Sequence, residues 1–286
     1  MMSWTNYHNH SQYDDGKDTI ENHVTAAIDQ GVKSMGFSGH CPVSFENNWC
    51  MKKESIEDYL NDIADAKGKY KNQIQLYKGL EVDFIPGIIS PTDSWIKALK
   101  LDYSIGSIHF AGKYPNGLPG EIDSTHTKFL DGLEHIYHGN IKALVKEYYA
   151  LTRQMVKESK PDIIGHMDKI KIQNHDLWDE SSGWYQNEVL ATLEEIKSAN
   201  TIIEVNTRGI YKKLTLETYP SPWILNHIHQ MNIPIHINSD AHVPKEIINN
   251  FAEATELIIS LGFKKVKVVH NGNWDFVNIG QNGLVM

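Results

Sequence analysis

The chain has 286 residues, of which 41% are hydrophobic and 22% charged, a composition typical of one globular unit that buries its core without disulfides. Its formal net charge of −9 argues against a general affinity for nucleic acid or for an anionic membrane. Two cysteines cannot form a disulfide framework, and because the sequence shows neither a signal peptide nor an apolar run of about 20 residues, we expect a cytoplasmic protein.

Short apolar runs alternate with longer amphipathic stretches along the chain. A first strand is predicted to end near Tyr7, and the next elements are helix 20–30, strand 34–38, helix 55–70, strand 75–82, helix 92–99 and strand 103–109. After an irregular segment around 115–117 come helix 141–158, strand 162–165, helix 188–199, strand 202–206, helix 222–231, strand 233–238, helix 244–261 and strand 265–269. This alternation indicates a parallel α/β sheet covered by helices. A (β/α) barrel is favoured over a doubly wound open sheet, in a single domain over residues 1–286.

Histidine is the unusual component, with 15 residues against two arginines. Parallel barrels carry their chemistry at the carboxyl ends of the strands. Six histidines and three carboxylates follow predicted strands: His8, His10, Asp15, His40, Glu81, His109, His166, Asp240 and His242. Imidazole and carboxylate ligands suit Zn, Mn, Fe or Co. Nine ligands are too many for one ion, so the sequence predicts two or three divalent ions that share Glu81 as a bridge.

The other histidines have more ordinary expected roles. His236 lies inside a predicted strand, where packing is favoured, and Cys41 is expected to be buried structure. His126, in a segment predicted to be irregular, is a candidate for substrate binding. Structural or surface roles are expected for His23, His135, His138, His175, His227, His229 and His270.

The strand-end motifs resemble those of the PHP (polymerase and histidinol phosphatase) superfamily. The resemblance rests on His8-Asn9-His10, Asp15-Gly16, Ser38-Gly39-His40, Gly79-Leu80-Glu81-Val82-Asp83, Gly106-Ser107-Ile108-His109-Phe110, Gly165-His166 and Ser239-Asp240-Ala241-His242, in the family's order. GLEVDFIPG, DYSIGSIHF and IIGHMDKIK are most similar to the histidinol-phosphatase branch. The resemblance implies a distorted (β/α)7 TIM-like barrel with a trinuclear centre of zinc, manganese or iron ions.

The same resemblance implies a ligand set for each ion. The first ion would be held by His8, His10, Glu81 and Asp240, the second by Glu81, His109 and His166, and the third by Asp15, His40 and His242. Some relatives have histidine near the position of Asp15.

The implied activity is the hydrolysis of L-histidinol phosphate to L-histidinol and phosphate in histidine biosynthesis. We expect direct attack by a hydroxide that bridges two metal ions, with no phosphoenzyme. Glu81 would bridge the ions, and Asp240 or His242 would handle protons. Arg208, just beyond a predicted strand, could hold the phosphate.

Further charged residues have less specific expected roles. Lys169 and Lys171 are possible helpers in phosphate binding, whereas Arg153 is expected at the surface. Glu121 and Asp123 could meet the cationic groups of histidinol, but solvated loop charges are favoured for both.

Three alternatives stay open. The chain could be a PHP-family phosphoesterase that acts on another phosphomonoester or nucleotide, although the lack of a basic stripe argues against a polymeric substrate. It could be a metal-binding module without catalysis. An amidohydrolase barrel would normally have a lysine bridge where Glu81 stands.

Overall fold

The computed structural model describes residues 3–172, 174, 176–270 and 272–285. Its centre is a seven-stranded parallel sheet whose strands follow one another in chain order. Beyond the carboxyl ends of the first and last of these strands, Asn9 and Ala241 form a parallel bridge, and the backbone N–H of His10 donates to the carbonyl of Ala241 at 2.8 Å. The sheet is therefore a nearly closed barrel, as predicted, and the open sheet is excluded. His175, for which an ordinary role is expected, lies outside the described residues.

The secondary structure has these bounds. The strands are β1 Trp4–Asn6, β2 Val32–Phe37, β3 Gln75–Asp83, β4 Tyr103–Ser107, β5 Phe110–Lys113, β6 Pro119–Glu121, β7 Ile163–Ile164, β8 Ile202–Asn206, β9 Ile235–Asn238, β10 Lys265–His270, β11 Asn273–Gly280 and β12 Gly283–Val285. The helices are α1 Ile20–Asp29, α2 Ile56–Tyr70, α3 Ser94–Ala98, α4 His126–Tyr137, α5 Ile141–Ser159, α6 Gly183–Ala199, α7 Arg208–Tyr211, α8 Pro222–Gln230 and α9 Phe251–Ser260. The barrel order is β1-β2-β3-β4-β7-β8-β9.

Helix α5 shows how the outer layer forms. The side chain of Asn140 caps its first turn by accepting a hydrogen bond from the backbone N–H of Ala143, and Lys160 ends it in the left-handed conformation. Its buried residues recur at helical spacing and include Leu144, Tyr148 and Met155. Inside this layer the barrel strands are buried on both faces, which explains their nearly continuous apolar sequences.

Two predicted segments differ in the structure. The predicted helix 244–261 is a 3₁₀ turn at Pro244–Glu246 followed by α9, because Asn250 adopts a left-handed conformation (φ 57°) that interrupts the helical path. The segment predicted to be irregular contains the hairpin β5–β6 and helix α4. This helix begins where the side chain of Thr125 accepts a hydrogen bond from the backbone N–H of Lys128.

The last predicted strand does not belong to the barrel. β10 pairs with β11, and β11 pairs with β12, in a separate antiparallel sheet. Val269 and Trp274 of this sheet pack with residues that begin barrel strands, such as Tyr103, Ile163 and Ile202. There the backbone N–H of Val269 donates to the hydroxyl of Tyr7 at 2.9 Å, and the rings of Tyr7 and Trp274 lie 5.4 Å apart. This sheet covers one end of the barrel, so the strand-end motifs lie at the other.

Among the helices of the described residues, none combines the length and the apolar character needed to cross a bilayer.

Candidate metal centre

The nine side chains predicted as metal ligands come together at the carboxyl ends of the barrel strands. They form four groups of described residues, and within each group the potential ligand atoms lie within 4.8 Å of one another. The groups are His8, His10 and Glu81; His8, His166 and Asp240; His40, Glu81 and His109; and His10, Asp15, His40 and His242. Because members are shared between groups, the side chains form one continuous cluster rather than separate sites.

Glu81 lies at the centre of this cluster and is almost fully buried. Its Oε2 lies 3.2 Å from Nε2 of His8 and 3.0 Å from Nδ1 of His40. Its Oε1 lies 2.9 Å from Nε2 of His166 and accepts the hydroxyl of Ser107 at 2.6 Å. The two carboxylate oxygens thus face different histidines, as a bridging ligand requires.

Several buried nitrogen and oxygen atoms of the cluster that could bind a metal ion have no hydrogen-bond partner. They are Nε2 of His8, Nε2 of His10, Nδ1 of His40, Nδ1 of His166, Oδ1 of Asp15 and Oε2 of Glu81. Buried polar atoms without a partner are costly, and a nitrogen lone pair that faces a carboxylate oxygen is repelled by it. Cations between these atoms remove both penalties, so the donor set fits divalent metal ions.

A second layer of carboxylates lies behind the histidines, and the sequence analysis missed its role. Asp14 Oδ2 lies 2.6 Å from Nδ1 of His10, and Asp83 Oδ1 lies 3.0 Å from Nδ1 of His109. Glu204 Oε1 lies 2.6 Å from Nδ1 of His8. Because an ionised carboxylate only accepts hydrogen bonds, each Nδ1 carries the proton and each Nε2 is left free to bind a metal ion.

The charges of the cluster reinforce one another. Burial by itself would lower the pKa of His8, but Glu204 and Glu81 raise it well above its usual range. Burial would likewise raise the pKa of Glu81, but His8 and His40 hold it well below its usual range. The cluster therefore attracts cations strongly, and protons and metal ions compete for the same nitrogen atoms.

Asp240 and Arg208 meet at the edge of the cluster. Asp240 has φ 54°, an uncommon value for a residue other than glycine. Its carboxylate oxygen Oδ1 lies 3.3 Å from Nε2 of His10. Arg208 Nη1 donates to the carbonyl of Asp240 at 2.7 Å and lies 2.8 Å from Nδ1 of His242. The guanidinium is thus held against two of the predicted ligands, on the side that was predicted for it.

A cavity of about 230 Å³ opens directly onto the cluster. Its polar lining includes Arg208 and Lys169, and Lys169 pairs with Asp123 at 3.0 Å. Trp49 also lines the cavity, with its ring centroid 4.5 Å from that of His40. The cavity therefore combines the candidate ligands with two cationic side chains and an aromatic wall.

Other residues considered from the sequence have different neighbours. His126 begins helix α4 and places Nδ1 2.8 Å from Oδ1 of Asn174, while the cavity wall nearby is formed by Asp123 and Ser124. Lys171 is buried beside Asp168 at 2.9 Å. Arg153 pairs with a carboxylate of the outer helical layer.

The sequence is similar to those of known proteins. Residues 6–208 match the family model of the PHP domain. The "Probable histidinol-phosphatase" of Deinococcus radiodurans is 27% identical over 254 residues, which cover 88% of this chain and 91% of that protein. The histidinol-phosphatase of Bacillus subtilis is 27% identical over 248 residues, covering 79% of this chain and 87% of that protein.

A solved structure has the same fold. The histidinol phosphate phosphatase of Lactococcus lactis, in complex with zinc, L-histidinol and phosphate, aligns with a TM-score of 0.71 at 20% identity. The alignment covers 96% of this chain and 98% of that one. This likeness concerns the fold, whereas the match of the family model over residues 6–208 shows the family: the chain belongs to the PHP domain family.

Proposed function

We propose that the chain is a histidinol-phosphatase, a phosphomonoester hydrolase that needs divalent metal ions. It would convert L-histidinol phosphate and water into L-histidinol and inorganic phosphate, a step of histidine biosynthesis. The observation that carries this proposal is the buried Glu81 carboxylate, which lies among unpaired histidine nitrogens beside a cavity lined by cationic side chains. The substrate follows from the relatives named histidinol-phosphatase and from the L-histidinol and phosphate in the Lactococcus structure.

Three ions, with zinc, manganese and iron as the candidates, are proposed for the cluster. We assign His8, His10, Glu81 and Asp240 to the first ion, Glu81, His109 and His166 to the second, and Asp15, His40 and His242 to the third. Distances support the sharing of Glu81, because its two oxygens face ligands of different ions. His242 Nε2 lies 3.0 Å from Oδ1 of Asp15, which supports the third set.

The chemistry divides between the ions and the chain. Divalent ions, when bound, polarise phosphoryl oxygens and lower the pKa of water to about 7. Arg208 is fixed by Asp240 at the cavity, where its remaining N–H groups can hold a phosphate oxygen. Lys169 provides a second positive charge in the same cavity. Asp240 and His242 are the proposed groups for proton transfer, because both line the cavity beside Arg208.

The leaving group would occupy the part of the cavity near Trp49 and Asp123. The indole ring offers an apolar face for an imidazole ring, and the carboxylate offers a partner for an ammonium group. His126 stays a proposed substrate contact that would need to turn from Asn174 toward the cavity. The unit that carries this activity would be a single domain over residues 1–286, acting in the cytoplasm on a soluble metabolite.

Steady-state phosphate release across a panel of monoesters tests the proposal. The metal-loaded protein is assayed with L-histidinol phosphate, a nucleoside monophosphate and p-nitrophenyl phosphate, before and after chelation. We expect the highest kcat/KM for L-histidinol phosphate and its loss after chelation. Equal or faster turnover of the nucleotide would overturn the substrate assignment. Metal-loaded protein that releases phosphate from none of them would instead be a metal-binding module without catalysis.

A further inference from the structure

Glu204 belongs to the second layer of carboxylates described above, and His8 is only one of its hydrogen-bond partners. Glu204 lies in β8, and its side chain is inaccessible to solvent. Oε1 lies 2.6 Å from Nδ1 of His8 and accepts Nδ2 of Asn238 at 3.0 Å. Oε2 accepts the backbone N–H of His166 at 2.8 Å and Nδ2 of Asn206 at 3.0 Å. Four donors therefore surround one carboxylate.

The two asparagines are oriented so that both present NH₂ groups, and not carbonyl oxygens, to Glu204. Asn238 Oδ1 accepts the backbone N–H of Tyr7 at 2.7 Å, and Asn206 Oδ1 accepts that of Arg208 at 2.8 Å. A backbone N–H can only donate, so each amide must turn its NH₂ group toward Glu204. An ionised carboxylate can therefore accept all of these hydrogen bonds, whereas the amide of a glutamine, which has the same shape, cannot.

We infer that Glu204 is a positioning residue that sets both the tautomer of His8 and the place of His166. The carboxylate accepts from Nδ1 of His8, so the proton stays on Nδ1 and the lone pair on Nε2 points at Oε2 of Glu81, 3.2 Å away. Its other oxygen holds the backbone of His166, whose ring nitrogen Nε2 lies 2.9 Å from Oε1 of Glu81. One side chain thus orients two proposed ligands that face different oxygens of the proposed bridge.

A glutamine at this position keeps the size and shape of the side chain but replaces one accepting oxygen with an NH₂ group that donates. In Glu204→Gln the new NH₂ group must face either His8 or the backbone N–H of His166. In the first case His8 shifts its proton to Nε2 and loses the lone pair that a metal ion needs. In the second case two N–H groups oppose each other and the backbone of His166 moves. Either outcome weakens metal binding without a change in side-chain volume.

This inference rests on the proposed metal centre, so it is tested through metal affinity rather than turnover. Zn²⁺ is titrated into the metal-free full chain in competition with a chromophoric chelator. Glu204→Gln is compared with wild type and with Glu188→Gln, which removes a carboxylate from the outer helical layer where it pairs with Arg153 at 2.9 Å. Circular dichroism of the metal-free proteins tests whether all three are folded at the titration temperature.

We expect Glu204→Gln to bind its weakest-held Zn²⁺ about 10- to 100-fold less tightly, as for other residues that orient metal-binding histidines. Glu188→Gln should match wild type. Glu204→Asp keeps the charge and the accepting oxygens, so it should recover part of the lost affinity.

Wild-type affinity in Glu204→Gln would overturn this inference and leave the proposed function standing. A wild-type chain that binds no Zn²⁺ would overturn both. If Glu204→Gln does not fold, the affinity of Glu204→Asp for Zn²⁺ is the test. Its shorter side chain cannot reach both His8 and the backbone of His166. Weaker Zn²⁺ binding than in wild type would support the inference, and wild-type affinity would overturn it.

Discussion

Glu81 lies in β3 and His166 follows β7, and although β4 separates these strands, Oε1 of the carboxylate lies 2.9 Å from Nε2 of the imidazole. The hydroxyl of Ser107 fixes that same oxygen at 2.6 Å. Gly165, beside His166, leaves room for this contact, because a Cβ atom there would lie 2.4 Å from the Ser107 hydroxyl oxygen. Ser107, which is not a proposed ligand, thus orients the carboxylate that we propose as the bridge.

Glu81→Gln should therefore lose metal and activity while it stays folded. The amide removes the negative charge that two ions would share, and its NH₂ group would face a histidine nitrogen. We expect the variant to lose metal at the first and second sites and nearly all turnover of L-histidinol phosphate. Elemental analysis and phosphate release measure the two effects, with circular dichroism as the control for folding. Wild-type metal content and kcat would remove the bridging assignment.

Arg208→Met should weaken the binding of the substrate's phosphate group. Arg208 lies at the cavity beside Asp240 and His242, whereas the other arginine of the chain, Arg153, pairs with Glu188 in the outer layer. We expect kcat/KM for L-histidinol phosphate to fall about 100-fold, equivalent to about 2.7 kcal/mol. Arg153→Met is the matched control and should change kcat/KM little. Equal effects of the two substitutions would contradict a role of Arg208 in binding phosphate.

Trp49→Ala should affect the leaving group more than the phosphate. Its ring stacks on Phe110 at a centroid distance of 5.6 Å and lines the cavity beside His40. Loss of this aromatic wall should raise KM for L-histidinol phosphate about 10-fold, or about 1.4 kcal/mol. KM for a phosphomonoester without a ring should change less. Trp184→Ala, in helix α6, serves as the control, and an unchanged KM in Trp49→Ala would exclude contact with the substrate.

The metal-free protein should lose stability as pH rises from about 7 to 10. Burial opposes protonation of His10 and His109, but Asp14 and Asp83 raise the pKa values of these histidines to about 10 and about 9. In the unfolded chain the value is about 6.5, so the stabilisation is complete below that pH and is lost as pH rises through the folded values.

Thermal unfolding of chelated and metal-loaded samples across this range measures the effect. The loaded protein should lose less stability, because metal ions replace the protons on the same nitrogens. A Tm of the metal-free protein that rises between pH 7 and 10 would contradict this prediction.

Local sequence patterns predicted the barrel and the residues that form the cluster. Proposed ligands such as His40 and His166 lie two or three residues beyond the ends of short strands, so the rule that parallel strands end at one face of the barrel brings them together. Glu204 was overlooked because it lies within a strand and because its hydrogen bond joins it to His8, which is far away in the sequence. The available signal was its charge between apolar neighbours, in Ile202-Ile203-Glu204-Val205.

Other features depend on tertiary contacts that no short pattern contains. Asp14 and Asp15 are neighbours in sequence, yet Asp14 lies against Nδ1 of His10 while Asp15 faces His242. The terminal sheet is stabilised by contact with Tyr7 near the opposite end of the chain. The role of a polar side chain is thus decided by which donor the folded chain brings to it.

The most direct test measures bound metal and turnover of L-histidinol phosphate in the same samples during stepwise chelation. If divalent ions held by the Glu81 cluster carry the reaction, phosphate release should fall with metal content, vanish in the metal-free protein and return when metal is restored. Undiminished phosphate release from metal-free protein would contradict the central claim.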